Sequence, residues 1–198
     1  MTEIELKSAV RDAVALRRRL GEAGAMLMFA GRLEDRRYDT VTRALTARDH
    51  VLRLRTLRTR DGASSTTVDW KGATGEADGF KVREELSTAT ADAGILDGIL
   101  SKLGFAVIRE IDREIEQYAL DGATIRLETY PRMDTLLEIE GEPAGIERAI
   151  TATGLPRAGF TSERLPAFVA RYEARTGERA ALCDRELRGD YRYSMTDG

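Results

Sequence analysis

Residues 3–7 read Glu3-Ile4-Glu5-Leu6-Lys7, a run in which charged and apolar side chains alternate. Side chains two residues apart point to the same face of a β-strand, so this period predicts a strand with one apolar and one charged face. We expect the strand to cover residues 2–10. Its apolar face requires a core to pack against, and its charged face requires water, counter-ions or a ligand.

The same alternation recurs in later segments, where charged residues at every second position stand opposite Leu, Ile or Val. The charged sets are Arg53 with Arg55, Lys81 with Arg83 and Glu85, Arg126 with Glu128, and Glu138 with Glu140. An antiparallel sheet with one solvated face shows a similar pattern. A solvated face, however, normally also carries Ser, Thr and Asn. The nearly pure charge of these sets therefore favours a ligand-binding surface.

The remaining pattern predicts an α+β fold. Asp61-Gly62 and Asp121-Gly122 are typical of hairpin turns, and no G-x-G-x-x-G or Walker loop is present. Apolar spacing predicts helices at 12–23, 91–103, 143–153 and 162–176. Further strands are expected at 25–38, 50–59, 64–71, 80–86, 105–120, 123–129 and 135–141. We expect one domain over residues 1–176 and a polar C-terminal tail over residues 177–198.

Composition limits the possible chemistry. The 31 Lys and Arg and 34 Asp and Glu give a net charge of −3, so no nucleic-acid or membrane partner is expected. The single cysteine, Cys183, and the single histidine, His50, exclude an internal disulfide and a cysteine or multi-histidine zinc site. Any metal ligands should be oxygens, which favours Mg²⁺ or Mn²⁺. The absence of a secretory leader in the N-terminal sequence predicts a cytoplasmic protein.

A sheet of this kind that closes into a barrel places its charged face inside and leaves its apolar face for helices. Such a lumen is costly unless opposite charges meet there, or a polyanion and a metal fill it. Guanidinium groups suit phosphate oxygens. The candidate phosphate-binding residues are Arg53, Arg55, Lys71, Lys81, Arg83, Arg109, Arg113 and Arg126. The candidate metal ligands are Glu3, Glu5, Glu128, Glu138 and Glu140.

The N-terminal run matches the Glu-x-Glu-x-Lys signature of the CYTH, or triphosphate tunnel metalloenzyme, family. This family includes class IV adenylyl cyclases and thiamine triphosphatases. Over residues 1–172 the chain resembles it in the order of its motifs. After the signature come Tyr38-Asp39, Leu52-Arg53-Leu54-Arg55, Trp70-Lys71-Gly72, Arg83-Glu84-Glu85, the strand around residues 109–113, and Leu137-Glu138-Ile139-Glu140.

The resemblance implies a closed eight-stranded antiparallel tunnel with a charged lumen, flanked by helices. In it, basic residues grip a triphosphate and glutamates bind Mg²⁺ or Mn²⁺. Lys7 would contact phosphate and orient the nucleophile, while Arg53 and Arg55 would stabilise charge on the transferring phosphoryl group. Two departures stand out. Leu127-Glu128 replaces the Leu-Asp of many members, and residues 130–134 lack the frequent Leu-Gly-x-Phe element.

Several functions remain open at this point. The resemblance implies either hydrolysis of thiamine triphosphate, a nucleoside triphosphate or inorganic triphosphate, or cyclisation of ATP to cyclic AMP and pyrophosphate. A module that binds a polyphosphate without turnover is a third reading, and nucleic-acid binding is the least favoured. Trp70 and Tyr38 either pack in a core or stack on a ligand. The sequence leaves the choice between monomer and homodimer open.

Overall fold

The computed structural model describes residues 4–77 and 80–191, and the side chains of residues 76–82 stand outside that description. The strands are β1 (Glu5–Val10), β2 (Met26–Thr40), β3 (Val51–Thr59), β4 (Ser64–Lys71), β5 (Gly75–Ala77), β6 (Phe80–Val82), β7 (Glu85–Thr90), β8 (Phe105–Leu120), β9 (Ala123–Thr129) and β10 (Thr135–Glu140). The helices are α1 (Ala13–Glu22), α2 (Ala93–Lys102), α3 (Pro143–Thr153), α4 (Leu165–Thr176) and α5 (Asp184–Arg188). No helix among these residues has the length and hydrophobicity to span a bilayer.

Eight strands form one antiparallel sheet in the order β1-β10-β9-β8-β2-β3-β4-β7, and β5 pairs separately with β6. The predicted eight-stranded antiparallel sheet with flanking helices is therefore confirmed. Closure of the sheet by hydrogen bonds is not observed in the described residues, where β1 and β7 stand at the two ends of the order. The outer edge of β1 is instead occupied by Thr161, whose backbone exchanges hydrogen bonds of 2.8 and 2.9 Å with Lys7.

The described residues form two compact units. The first unit comprises residues 31–112 and 183–191, and the second comprises residues 4–30 and 113–182. The long strands β2 and β8 contribute residues to both units. The units interleave along the chain, and the expected boundary at residue 176 stays a prediction.

The second unit builds its core from the apolar faces of β1, β9 and β10. Asp12 starts α1 as expected, because its Oδ1 accepts a hydrogen bond of 2.8 Å from the backbone N–H of Ala15. Helices α1 and α3 cover the strands. The fully buried members of this core include Leu16, Leu20, Ile125, Leu127, Leu137, Ile139, Ile146 and Ile150. Since this face is packed against helices, the alternate residues of β1, β9 and β10 lie on the opposite face.

The first unit has its own smaller core around Tyr38, Leu54 and Leu100. The hydroxyl of Tyr38 donates a hydrogen bond of 2.7 Å to Oδ1 of Asp97 on α2. Burial of the ring, together with this bond to a carboxylate, raises the pKa of Tyr38. Tyr38 is thus a packing residue with a satisfied hydroxyl, which supports the core interpretation of this side chain.

The strand expected at residues 80–86 was wrong, because the structure breaks it into β6 and β7. At the break, Arg83 donates from Nε and Nη2 to the carbonyl oxygen of Gly72 at 2.9 and 2.5 Å, and from Nη2 to that of Asp49 at 2.9 Å. The backbone N–H of Gly72 also donates to the carbonyl oxygen of Glu84 at 2.8 Å. These bonds to a neighbouring loop replace a continuous strand.

The polar stretch after α4 contains a buried segment. Gly177, at φ +71°, ends α4, and Ala181, Leu182 and Cys183 are each at most 1% exposed. Cys183 then caps α5, whose Arg185 pairs with the buried Glu110 at 2.5 Å. Burial raises the pKa of the Cys183 thiol to about 11. Residues 181–183 of this stretch are therefore buried, whereas most of its other described residues are exposed.

Candidate active site

The second unit carries a row of alternating charges on the face opposite its core. Antiparallel pairing places Lys7 of β1 beside Glu138 of β10, and Glu138 beside Arg126 of β9. Glu5 lies opposite Glu140 in the same register. The alternation read from the sequence thus becomes a row running basic, acidic, basic across three strands.

Lys7 occupies the position between two carboxylates. Its Nζ lies 2.6 Å from Oε1 of Glu5 and 2.8 Å from Oε2 of Glu138. Burial alone would lower the pKa of Lys7, but the negative charges of Glu138 and Glu5 outweigh it and raise the pKa. Lys7 is therefore a fixed cation at neutral pH.

Arg126 links two carboxylates in the same row. Its Nε donates to Oε1 of Glu128 at 3.0 Å, and its Nη2 contacts Oε1 of Glu138. Desolvation would lower the pKa of Arg126, but the charges of Glu128 and Glu138 outweigh it, so the pKa is raised. A guanidinium that uses two edges in this way is held in a defined orientation.

Lys7, Glu138, Arg126, Glu128 and Arg113 form a connected network of ion pairs. Glu128 is the most enclosed carboxylate of this network. It also accepts a hydrogen bond of 2.9 Å from Nε of Arg113 on β8, and one of 2.5 Å from the hydroxyl of Tyr130. Burial would raise the pKa of Glu128, but Arg113, Arg126 and the Tyr130 hydroxyl outweigh it and lower the pKa to about 2. Burial and the adjacent charge of Glu128 raise the pKa of Tyr130. Glu128 is thus ionised and Tyr130 neutral at neutral pH.

The first unit carries a second charged face. Arg53 of β3 lies opposite Asp69 of β4, and its Nε is 2.8 Å from Oδ2 of that carboxylate. The hydroxyl of Ser87 on β7 donates to Oδ1 of Asp69 at 2.6 Å. Burial would raise the pKa of Asp69, but Ser87 and Arg53 outweigh it and lower the pKa. This cluster crosses three neighbouring strands.

Two further predicted basic residues lie on this face. Nε of Arg55 is 3.1 Å from Oδ1 of Asp35 on β2, and Nζ of Lys71 is 2.7 Å from Oε1 of Glu85 on β7. The alternation of β3 and β4 places Arg55 and Lys71 on the face of Arg53. The structure therefore brings three of the predicted phosphate ligands onto one surface.

The other candidates are placed differently. Arg83 binds backbone carbonyls at the break between β6 and β7, as described above. Arg109 is buried in the first unit, on β8. Glu3 and the side chain of Lys81 lie outside the described residues. Trp70 pairs with Leu52 on the core-facing side of β4, and its ring meets that of His50 edge to face at 5.1 Å.

The predicted metal ligands fit an ion only in part. In residues 4–77 and 80–191, side chains of His, Cys, Asp and Glu do not gather in threes with metal-binding geometry. Glu5, Glu138 and Glu140 are carboxylates on one face of adjacent strands, and their chemistry suits Mg²⁺ or Mn²⁺. Glu128 is bonded instead to two arginines and a tyrosine.

Sequence reasoning missed the partners of the basic residues. Asp35, Asp69 and Tyr130 were not singled out, although each lies two residues from a charged residue in an alternating segment: Arg37, Lys71 and Glu128, respectively. The spacing places such residues on one face. What the sequence could not show is the register, which decides that Asp69 meets Arg53 across the strands.

Comparison with solved structures supports the fold. A proposed adenylate cyclase from Vibrio parahaemolyticus superposes with a TM-score of 0.70 at 18% identity, over 86% of this chain and 98% of the other. A protein from Pyrococcus horikoshii gives a TM-score of 0.65 at 24% identity, over 82% and 94%. A proposed adenylyl cyclase from Hippeastrum with a dominant triphosphatase activity gives 0.59 at 14% identity, over 92% and 99%. No curated protein matches the sequence significantly.

The chain is thus a protein with an eight-stranded antiparallel sheet that carries paired basic and acidic side chains on one face. The family profile of the CYTH domain matches residues 1–149. The chain therefore belongs to the CYTH family, as its N-terminal motif indicated.

Proposed function

We propose that this protein is a metal-dependent phosphohydrolase whose substrate is a small triphosphate: thiamine triphosphate, a nucleoside triphosphate or inorganic triphosphate. The observation that carries the proposal is the row of Lys7, Glu138 and Arg126 on the charged face of the second unit. Fixed cations separated by carboxylates suit a ligand that is a polyanion with bound metal.

The basic residues act as phosphate contacts in this proposal. Arg113 and Arg126 have guanidinium groups oriented by Glu128, so little freedom is lost when phosphate oxygens bind. Arg53, Arg55 and Lys71 on the face of the first unit are proposed as further phosphate contacts, with Arg53 and Arg55 stabilising charge in the transition state.

Lys7 orients the nucleophile in this proposal. Its raised pKa keeps the ammonium protonated at neutral pH, so Lys7 donates hydrogen bonds and does not accept a proton. An ammonium held by Glu5 and Glu138 can donate its remaining proton to a water molecule or a phosphate oxygen. Lys7 is therefore an electrostatic and positioning group, and the attacking water must lose its proton elsewhere.

Glu5, Glu138 and Glu140 are the proposed holders of Mg²⁺ or Mn²⁺. Held by these carboxylates, an ion of this kind would supply positive charge that neutralises the phosphate groups. Glu138 contacts both Lys7 and Arg126, so the same carboxylate connects the proposed metal position with two phosphate contacts.

Purified protein incubated with ATP, GTP, thiamine triphosphate and inorganic triphosphate tests the proposal. Each substrate is supplied with Mg²⁺, with Mn²⁺ or with chelator, and products are separated by chromatography. Orthophosphate that forms only with metal is the expected result and identifies the substrate. Glu138→Gln should then abolish turnover while sparing much of the affinity. Arg58→Ala, on the opposite face of β3, is the control.

Two other outcomes replace the proposal. Cyclic AMP with pyrophosphate from ATP makes the protein an adenylyl cyclase, an activity named for the similar Vibrio structure. Absence of product with every substrate, together with measurable triphosphate binding, makes it a binding module. The substrate remains a small molecule in each case. We also propose a cytoplasmic location, which fractionation with a compartment marker would check.

A further inference from the structure

Glu128 has a different environment from the other carboxylates of its face. It is 3% exposed, and its register partner on β10 is Leu136, whereas Glu138 faces Lys7 on one side and Arg126 on the other. Its nearest acidic neighbour in the network, Glu138, is reached through the guanidinium of Arg126, which contacts both carboxylates. An ion bridging Glu128 and Glu138 would have to displace that guanidinium.

The oxygens of Glu128 already accept three hydrogen bonds. Oε1 accepts from Nε of Arg113 at 2.9 Å and from Nε of Arg126 at 3.0 Å, and Oε2 accepts from the hydroxyl of Tyr130 at 2.5 Å. A carboxylate that binds Mg²⁺ or Mn²⁺ must offer an oxygen at about 2.1 Å from the ion. The bonding of Glu128 is that of a counter-ion to arginines.

Tyr130 contacts both members of the ion pair between Glu128 and Arg113. Its hydroxyl bonds to Glu128, and the guanidinium carbon of Arg113 lies 5.9 Å from the centre of its ring. Tyr130 is 6% exposed, so its position is fixed by packing. An aspartate at position 128 would be one methylene shorter and would withdraw its carboxylate from the Tyr130 hydroxyl and from both guanidinium groups. The length of the glutamate therefore matches the tyrosine two residues later.

From this geometry we propose that Glu128 and Tyr130 are positioning residues that hold Arg113 and Arg126 for the phosphates, and that Glu128 is not a metal ligand. The inference rests on the proposed function, since it assigns the two arginines to triphosphate binding. It departs from the expectation that Glu128 binds metal, and it leaves Glu5, Glu138 and Glu140 as the ligands.

Metal binding without substrate tests whether Glu128 is a metal ligand. Calorimetric titration of the triphosphate-free protein with Mn²⁺ compares wild type, Glu128→Gln and Glu138→Gln. Loss of a ligand should weaken Mn²⁺ affinity at least about tenfold in Glu138→Gln. Glu128→Gln should lose clearly less Mn²⁺ affinity than Glu138→Gln, because it removes no ligand. An equal loss in both variants would show that Glu128 binds the metal and would overturn the proposal.

Glu128→Asp tests whether the length of the glutamate side chain is needed for its contact with Tyr130. Both Glu128→Asp and Tyr130→Phe should weaken binding of inorganic triphosphate, measured in chelator, by about three- to tenfold, the effect of losing a typical hydrogen bond. The double variant should be little worse than Glu128→Asp alone, because Tyr130→Phe removes a contact that the shorter carboxylate has already lost. Wild-type affinity in Glu128→Asp, or independent multiplicative losses in the double variant, would contradict the positioning role.

Thermal unfolding separates this inference from the proposed function. The Tm values of Glu128→Asp, Tyr130→Phe and the double variant report the contact itself, whether or not a triphosphate binds. Non-additive Tm losses support the contact, and additive losses overturn it. A different result is possible in which wild-type protein does not bind inorganic triphosphate but the Tm losses of the variants are non-additive. That result would refute the proposed function and the phosphate-positioning role, while the contact between Glu128 and Tyr130 would stand.

Discussion

The two charged faces of this protein use similar residues in different surroundings. In the second unit, the side chains of Arg113, Glu128 and Glu138 are each at most 7% exposed, and each carboxylate meets two cations. In the first unit, the side chains of Arg53, Arg55 and Lys71 are 20–25% exposed and pair across neighbouring strands. The enclosed network should therefore matter more for stability than the more open face.

Removal of one cation from the enclosed network should have the largest effect and tests this difference in stability most directly. Arg113→Met leaves the buried Glu128 with half of its positive partners, and we expect it to cost about 3–5 kcal/mol of unfolding free energy. Urea titration followed by circular dichroism measures the loss. Arg58→Met, whose side chain is 52% exposed, is the matched control and should cost less than about 1 kcal/mol. A loss below that level in Arg113→Met would remove the distinction between the faces.

The opposite behaviour is expected for the open face. Arg53→Ala should lower kcat/KM at least about 100-fold if it stabilises transition-state charge, which corresponds to about 2.7 kcal/mol. Its unfolding free energy should fall by no more than about 1 kcal/mol, since the ion pair with Asp69 is partly exposed. Steady-state kinetics with the substrate identified by the product assay, together with urea titration, give both numbers. A variant with normal activity and a large loss of stability would make Arg53 a structural residue.

Asp39 adds a third environment to the comparison, because it is a buried acid that is held by neutral donors and not by cations. Its carboxylate accepts hydrogen bonds from the backbone of Thr40, Leu45 and Thr46 and from the Thr46 hydroxyl, at 2.6–2.9 Å. Asp39→Ala leaves these donors unsatisfied and should cost about 1–3 kcal/mol. Thr42→Ala in the same loop, whose hydroxyl bond to Thr40 is exposed, is the control.

The contribution of the Asp39 carboxylate to stability should also be measurable in the wild-type protein as the pH is lowered. Burial would raise the pKa of Asp39, but the donors outweigh it, so the folded pKa lies below the unfolded value near 3.9. Its contribution to stability is present above that unfolded value and is lost as pH falls through the folded pKa. Asp39→Asn should therefore lose less stability than wild type in chemical denaturation series from pH 5 downward. Parallel pH curves for the two proteins would contradict this assignment.

The smallest effect is expected at Arg83. Because its guanidinium bonds to the carbonyl oxygens of Gly72 and Asp49, Arg83→Lys should change triphosphate affinity less than about twofold. It should lower Tm slightly, since a lysine cannot reproduce the two-pronged contact with Gly72. Arg55→Lys is the informative comparison for affinity. A tenfold loss in Arg83→Lys would return Arg83 to the set of phosphate contacts.

Local periodicity predicted the fold well where one strand or helix has a single pattern. The bounds of β4, β8, β9 and α3 agree with those expected from the sequence. The same reasoning failed at Arg83, since the bond that interrupts the strand reaches a loop distant in the chain. It also missed the burial of residues 181–183, where a short apolar run lies between charged residues.

The sequence predicted which residue types line the candidate site, but it did not predict which of them pair with one another. The basic and acidic residues on alternating positions were identifiable because the strand period of two does not depend on distant contacts. The register and the inward bonding of Glu128 do depend on them. The sequence therefore indicated a metal ligand at position 128, where the structure has a carboxylate bonded to Arg113, Arg126 and Tyr130.

The buried cysteine of the C-terminal segment is a natural probe of local opening. Cys183 is the only thiol in the chain, it is fully buried, and its raised pKa keeps it protonated at neutral pH. The thiolate is the nucleophile that attacks an alkylating reagent, so labelling requires that this segment opens first. The rate of labelling under native conditions thus counts the openings around Cys183, and no engineered probe is needed to follow them.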